Sequence, residues 1–323
     1  MSRLDIGILG GGISGLVAAD RLRALGHEVV VFDKGRGPGG RASSRRAAPY
    51  SFDHGAQYFT ARSPELLAAL AGWLEEGVVQ RWEGRIVSLE GGTATPVGES
   101  TERFVAVPQM NALAKHLAKG LSLRSSVHVD SISRFEGRWE VSSGGEQLGV
   151  FDRLVLAMPP AQAALLLGEE SRLGALVRSV EMRPCWAGLL GFAEPLELPY
   201  DGAFCHESQL SWIARDSSKP GRPEAEAWVL HASAEWTEAN LETDRALVLE
   251  ALLEELCRVT GAQLPERCHQ DVHRWGLAQP ARDELVEDLC DASMGVVLAG
   301  GAYFGGRVEG AFLSGLHAAQ QLV

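Results

Sequence analysis

Gly10, Gly12 and Gly15, in the run Gly10-Gly11-Gly12-Ile13-Ser14-Gly15, have the spacing of a turn that holds a pyrophosphate between a strand and a helix. Gly10 permits the tight turn, Gly12 lets backbone amides approach the phosphates, and Gly15 lets the helix lie close to its sheet. The phosphates would rest on the helix N-terminus, where free N–H groups and the dipole favour an anion. Asp33 stands about 20 residues on, where a carboxylate accepts from ribose hydroxyls. Next comes Lys34-Gly35-Arg36-Gly37-Pro38-Gly39-Gly40-Arg41, in which Arg41 can bring a fork of donors to a phosphate while Gly40 keeps the backbone close. Arg45 and Arg46 read as a solvated loop. In Phe52-Asp53-His54-Gly55-Ala56-Gln57-Tyr58-Phe59, small residues between aromatics suit a chain passing against a flat ring. His54 taken alone reads as a hydrogen-bonded structural histidine.

An apolar strand at Ile6–Leu9, a helix with Leu16, Ala19 and Leu22 inward, and a strand ending at Asp33 would position the first group. A matching unit lies at 295–322: a strand, Gly300-Gly301, then Gly305-Gly306-Arg307-Val308-Glu309-Gly310-Ala311 opening a last helix. Between them the pattern predicts a helix at 64–76, two short strands within 79–90, a turn-rich loop at 91–102 and a helix from Pro108 to Lys119. It then predicts strands near 126–130, 132–136, 138–142 and 147–150, and a buried strand stopped by Pro159-Pro160. Alternation over 180–193 and 203–231, a helix over 241–259 and a strand over 269–275 predict a second, mainly antiparallel sheet. The expectation is an α/β chain: a Rossmann-type domain with a parallel sheet and a small β meander, plus an α+β substrate domain. The first would take 1–62, 103–165 and 288–323, and the second 63–102 and 166–287.

At 323 residues, two domains are expected. A net charge of −12 without a long basic block argues against nucleic acid or an anionic membrane as the main partner. No stretch reaches the ~18 apolar residues of a spanning helix, and the apolar start is broken by Asp5 and glycines, so the chain reads as cytoplasmic. Cys185, Cys205, Cys257, Cys268 and Cys290 form no C-x-x-C pair, so free thiols are expected and no metal site. The lysines are Lys34, Lys115, Lys119 and Lys219.

Gly10–Gly15 with Asp33, Gly39-Gly40-Arg41, 53–60, 151–160, His273-Arg274-Trp275 and Gly305–Ala311 with Ser314-Gly315 together resemble the flavin-dependent amine oxidase superfamily. The wording Asp53-His54-Gly55-Ala56-Gln57-Tyr58-Phe59-Thr60 is most similar to its renalase branch. That resemblance implies FAD in an extended pose, with Asp33 and Lys34 at the adenosine ribose and Gly12, Ile13, Ser14, Gly15, Gly40 and Arg41 near the pyrophosphate. It puts Val129 backbone by the adenine, Gly55, Ala56, Gln57 and Tyr58 beside the isoalloxazine, and Gly300, Gly301, Arg307, Val308, Glu309 and Ala311 around the ring's far edge. A helix N-terminus there favours the negative charge that reduction places on the ring. Gly301 stands where the superfamily usually has an aspartate for a ribityl hydroxyl. No cysteine adjoins 273–279, where covalent members attach their flavin, so non-covalent FAD is expected.

Larger members commonly hold a water near the flavin with a lysine, and none of the four lysines reads as well placed; Lys219 falls in a Ser-Ser-Lys-Pro-Gly turn. A donor that yields hydride without deprotonation fits better. The renalase resemblance implies 2- or 6-dihydro isomers of NAD(P), oxidised to NAD(P)+ with O2 giving H2O2. Conventional amine or amino-acid oxidation, desaturation, and a flavin protein without turnover remain alternatives. Substrate-contact candidates are Tyr58, Arg62, Trp186, Trp212, His231, Trp275, Tyr303 and Phe304, although each tryptophan alone reads better as core packing, with Trp275 the most evenly balanced because of its Arg-Trp context. The expected partners are a small molecule and O2, with the chain a monomer or weak dimer.

Overall fold

The apolar runs Ile6–Leu9, Val29–Phe32, Leu154–Leu156 and Val296–Leu298 have no polar face, as strands covered on both sides require. In the computed structural model, which describes residues 2–98, 101–169 and 171–323, they lie side by side in one sheet. Its order is Cys290–Asp291, Val296–Leu298, Arg153–Leu156, Asp5–Leu9, Glu28–Asp33 and Ser122–Ser125, parallel throughout except for the first, edge strand. The chain is thus α/β, and its first and last units share one sheet. The helices Ile13–Ala24 and Arg307–Leu322 both leave the carboxyl ends of these strands and pack on each other. Gly315 permits the close crossing, since a Cβ there would stand 2.5 Å from Ser14 O.

Ser131–Phe135, Arg138–Ser143 and Glu146–Phe151 form an antiparallel meander. The strand expected near 126–130 is instead Ser122–Ser125, which extends the parallel sheet beside Glu28–Asp33. The loop expected at 91–102 contains a strand, Thr93–Pro96, paired with Ile86–Glu90. The helix expected from Pro108 to Lys119 is shorter, Asn111–Leu117. The helix expected over 241–259 runs Arg245–Thr260, because Asp244 caps it by accepting from Ala246 N–H at 2.8 Å, and a separate short helix, Ala234–Ala239, precedes it.

The second sheet has seven strands in the order Arg267–Pro280, Met182–Phe192, Ala227–Ala232, Leu210–Arg215, Gly202–Cys205, Ile86–Glu90 and Thr93–Pro96. All neighbours are antiparallel except Gly202–Cys205 with Ile86–Glu90. Alternation divides its residues between two faces. Trp186, Leu190, Ile213, Trp228 and Leu230 pack on Val248, Leu252 and Leu256 of the long helix. Ile86, Trp212 and Ala214 turn the other way, into a core with Ile13, Leu16, Val308 and Phe312. That inward face roofs the cleft at the carboxyl edge of the parallel sheet. The helix Pro64–Glu75, expected with the substrate domain, packs Leu66, Leu70 and Trp73 into this same core.

Candidate active site

Both helices that open at the cleft begin on glycine, Gly12 and Gly306, without a side-chain cap. Their first N–H groups are therefore free for an anion. Gly10, at φ +122°, takes a conformation suited to glycine, and a Cβ there would strike Ala157 O at 2.2 Å. A Cβ on Gly15 would meet Gly10 O at 2.0 Å, whereas one on Gly12 would meet nothing within 4 Å. The space over Gly12 is thus open, while its neighbours are held by sterics. Gly40 comes close enough that its Cβ would lie 3.5 Å from Gly12 Cα.

The Asp33 carboxylate accepts from Gly11 N–H at 2.5 Å and Gly35 N–H at 2.6 Å, fixing the rim of the cleft. Ser126 and Val127 donate to Gly35 O and Asp33 O, which brings the backbone leading to Val129 alongside; Lys34 points into solvent. Arg41 makes one side-chain hydrogen bond among the described residues, Nη1 to Ala278 O at 3.3 Å, and burial pulls its pKa down. Near it the Tyr303 hydroxyl is buried with no partner among the described residues, its pKa pushed up by burial. A buried guanidinium and an unpaired phenol beside two uncapped helices suit the phosphates of a dinucleotide, and FAD fits this cradle. Tyr303 is fully buried among Leu9, Leu156 and Leu298 and is not exposed on a cleft wall as expected for a substrate contact.

At the far edge Gly300 N–H donates to Ser314 Oγ at 2.8 Å, and Gly301 O accepts from Phe304 and Gly306 N–H. A Cβ on Gly301 would lie 3.2 Å from Arg307 O, so the turn leaves little room for a larger residue there. Val308 is buried in the shared core and Ala311 packs against it. Two side chains differ from expectation. Arg307, at φ +62°, reaches Asp283 at the surface, 3.4 Å away. Glu309 accepts from Arg62 N–H at 2.8 Å and Ser63 N–H at 2.7 Å, tying the last helix to the N-terminus of Pro64–Glu75. Arg62 itself is exposed on that corner.

Beside the phosphate end, Ala56 N–H donates to Arg41 O at 2.9 Å. Gly55 is there because a Cβ would strike Arg41 O at 2.0 Å and approach the Trp275 ring at 3.4 Å. His54 O accepts from Trp275 Nε1 at 2.8 Å and faces His231 Nε2 at 3.2 Å. The His54 ring stacks on Trp275 at 5.1 Å and meets His273 edge-on at 4.8 Å. Burial and neighbouring positive charge lower these histidines, His54 to about 3 and His231 and His273 to about 4, so all three are neutral. Arg45, read from sequence as solvated, instead pairs with Asp271 and places Nη2 3.3 Å from His273 Nδ1.

Tyr58 stands in an aromatic nest with Trp212 at 5.6 Å and Trp82 at 6.1 Å, and Phe204 packs on Trp212 at 4.7 Å. The Arg103 guanidinium lies over the Tyr58 ring at 5.4 Å. Trp186 is not part of this wall: it is on the opposite face of the roof sheet, with Nε1 donating to Asn240 O at 3.0 Å. Phe304 is also elsewhere, its ring 5.4 Å from His317 of the last helix. Alternation in the strand Met182–Phe192 decides between Trp186 and its neighbours, and sequence spacing alone did not.

The lysine reading changes most. Lys219, 2% exposed, donates to Asp216 at 2.5 Å and Gln57 Oε1 at 3.2 Å and lies 3.5 Å from Asp53, which also pairs with Arg222 at 2.5 Å. Arg222 and Lys219 hold the Asp53 carboxyl below its usual range, while burial raises Asp216. Gln57 donates in turn to Asp53 O. The turn at 216–222 is therefore an internal plug against 53–57, and the Asp216–Lys219 spacing of one helical turn was its sequence signal. Trp82, Phe204 and Arg103 carried no such signal.

A family model described as "Flavin containing amine oxidoreductase" matches residues 94–323. The chain belongs to that family. A second model, an NAD(P)-binding Rossmann-like domain, matches residues 8–73. With the family comes a flavin cofactor, FAD, and the chain is a flavin-dependent oxidoreductase. In structure it is similar to a protein from Exiguobacterium sp. 255-15 provisionally named a protoporphyrinogen oxidase, with a TM-score of 0.79 and 15% identity over 99% of this chain and 98% of that one. Cyclohexylamine oxidase from Brevibacterium oxydans IH-35A aligns with a TM-score of 0.77 and 14% identity over 99% of both chains. At such identities the likeness shows the fold. Among curated proteins, a 4,4'-diapophytoene desaturase from Staphylococcus haemolyticus is 42% identical over 52 residues, 16% of this chain and 10% of its own length. No helix among the described residues is long and apolar enough to cross a membrane.

Proposed function

We propose that this amine oxidase family member is an oxidase for a flat, reduced, negatively charged donor, with 2- and 6-dihydro isomers of NAD(P) fitting best, as in the renalase branch. Bound in the cleft, FAD would supply the hydride acceptor, and O2 would reoxidise it with formation of H2O2. One observation carries the choice: at the ring end, the residues near 54–58 are aromatics, neutral histidines and arginines, while Asp53, Asp216 and Asp271 are all paired with Lys219, Arg222, Arg45 or Arg245. An ammonium would find no free carboxylate among them, whereas a dihydropyridine bearing phosphates meets flat walls and positive charge. The chain's own work would be to stack the donor between aromatics and exclude water.

Anaerobic mixing of the flavoprotein with the isomers, with absorbance near 450 nm as the readout, tests this. Bleaching within seconds by the isomers and not by simple amines is expected; the reverse pattern rejects it. The second reading, conventional amine oxidation, draws on Lys219 lying against Gln57, a lysine at the ring-side motif where sequence suggested none. Non-covalent FAD is part of the proposal. It is supported by Cys185, the cysteine across from Trp275 in the sheet register, whose thiol burial pushes up to about 12 and keeps un-ionised. Acid precipitation should release all the flavin, and a yellow pellet would contradict it.

A further inference from the structure

Two donors beside the Tyr58 ring find no acceptor among the described residues: Trp212 Nε1–H and Arg103 Nε–H. Trp212 is only 6% exposed, and a buried N–H left unpaired is destabilising until an acceptor meets it. Its indole is held in place. Phe204 packs on it, and Gly202 makes the room, since a Cβ there would lie 2.9 Å from the six-membered ring. Arg103 is anchored at its far end, with Nη1 donating to Thr101 O at 3.3 Å. Its neighbour Glu102 is spent on Arg81 at the surface and leaves Arg103 unneutralised. Trp82, the other indole against Tyr58, differs: its Nε1 donates to Ser218 Oγ at 3.1 Å, and Lys219 lies 5.7 Å from its ring. Both unmet donors thus belong to side chains against the Tyr58 ring, and Arg103 carries a charge that no carboxylate among the described residues neutralises.

We propose that Trp212 and Arg103 form a subsite for an anionic oxygen of the substrate. This deepens the function proposed above and rests on it: the reacting ring would lie toward His54 and Trp275, with its negative group at Tyr58. An Nε–H of arginine and an indole N–H, both desolvated, suit phosphate and carboxylate alike. The two sources are the phosphate of a nucleotide and the carboxylate of an amino acid.

The test is titration of the holoenzyme with inorganic phosphate and, separately, with benzoate, read as flavin difference spectra and as competition with the donor. Arg103→Met, Arg103→Lys and Trp212→Phe are compared at equal flavin occupancy. Saturable binding of either probe is expected, weakened at least about tenfold in Trp212→Phe and Arg103→Met, the size of one lost charge-assisted hydrogen bond. Phosphate alone would assign the nucleotide source and benzoate alone the carboxylate source. No saturable binding of either, or unchanged Kd in folded Trp212→Phe and Arg103→Met, overturns the subsite, and Arg103→Lys should restore part of the lost affinity. The two proposals fail separately. If the dihydro isomers bleach the flavin with unchanged KM in these variants, the donor assignment stands and the subsite falls. If probes bind through Trp212 and Arg103 but the isomers never bleach it, the subsite stands and the donor assignment falls.

Discussion

A valine at Gly12 would fill the open space over the first helix turn without disturbing the fold, because the glycine sits at φ −77° with nothing within 4 Å of its Cβ direction. Gly12→Val should purify at less than about a tenth of the wild-type flavin content with the apoprotein Tm unchanged; full occupancy would remove the phosphate role from Gly12. The histidines around Trp275 make a second prediction. Their folded pKa values, about 3 to 4, lie below the unfolded value near 6.5, so below 6.5 the unfolded chain binds more protons and the native state loses stability. Thermal stability should fall as pH drops from about 6.5 toward 4, and His54→Asn should flatten that slope. A slope as steep in the variant would show that His54 is not the group titrating. The phosphate-side residues were legible because glycine spacing and an acid at a strand end are local signals. Lys219 and Arg45 were not: the Asp216–Lys219 spacing marks only a local turn, and the partners that bring these residues to the ring side, Gln57 and Asp53 for Lys219 and Asp271 for Arg45, lie far along the chain.

Gly315 fixes the distance between the two helices that open at the cleft. Gly315→Ala would put a Cβ 2.5 Å from Ser14 O and 2.8 Å from Val17 Cβ, forcing the helices apart. Overpacking of this kind costs about 1–3 kcal/mol. A lower Tm together with faster flavin loss is expected; a lower Tm with undiminished retention would mean that the helix spacing does not shape the cradle. Strong periodicity made the strands and the long helix readable. It failed at 126–130, where the residues run on past the sheet, and at 241–244, where the cap at Asp244 starts the long helix later than the apolar pattern suggested. The faces of the roof sheet were harder still, since one step of register exchanges Trp186 for the side chains that look into the cleft.

Asp53, Arg222, Lys219 and Asp216 join the ring-side motif to the roof sheet through fully buried charges. Removing one member strands the rest, at about 3–5 kcal/mol. Asp53→Asn should therefore lower the unfolding free energy from denaturant titration by that amount, with Trp fluorescence and flavin release changing together; a loss below about 1 kcal/mol would show that the cluster does not couple the two halves. The sharing of one sheet by Asp5–Leu9 and Val296–Leu298 also has a consequence for synthesis. A nascent chain exposes Gly12 and Asp33 long before the ribosome has made Arg307–Leu322, so the early strands must wait, half-covered, for their late partner. With the cradle proposed above, the flavin would be gripped only after translation has passed Arg307–Leu322, and a chain stalled upstream of that helix is expected to stay colourless.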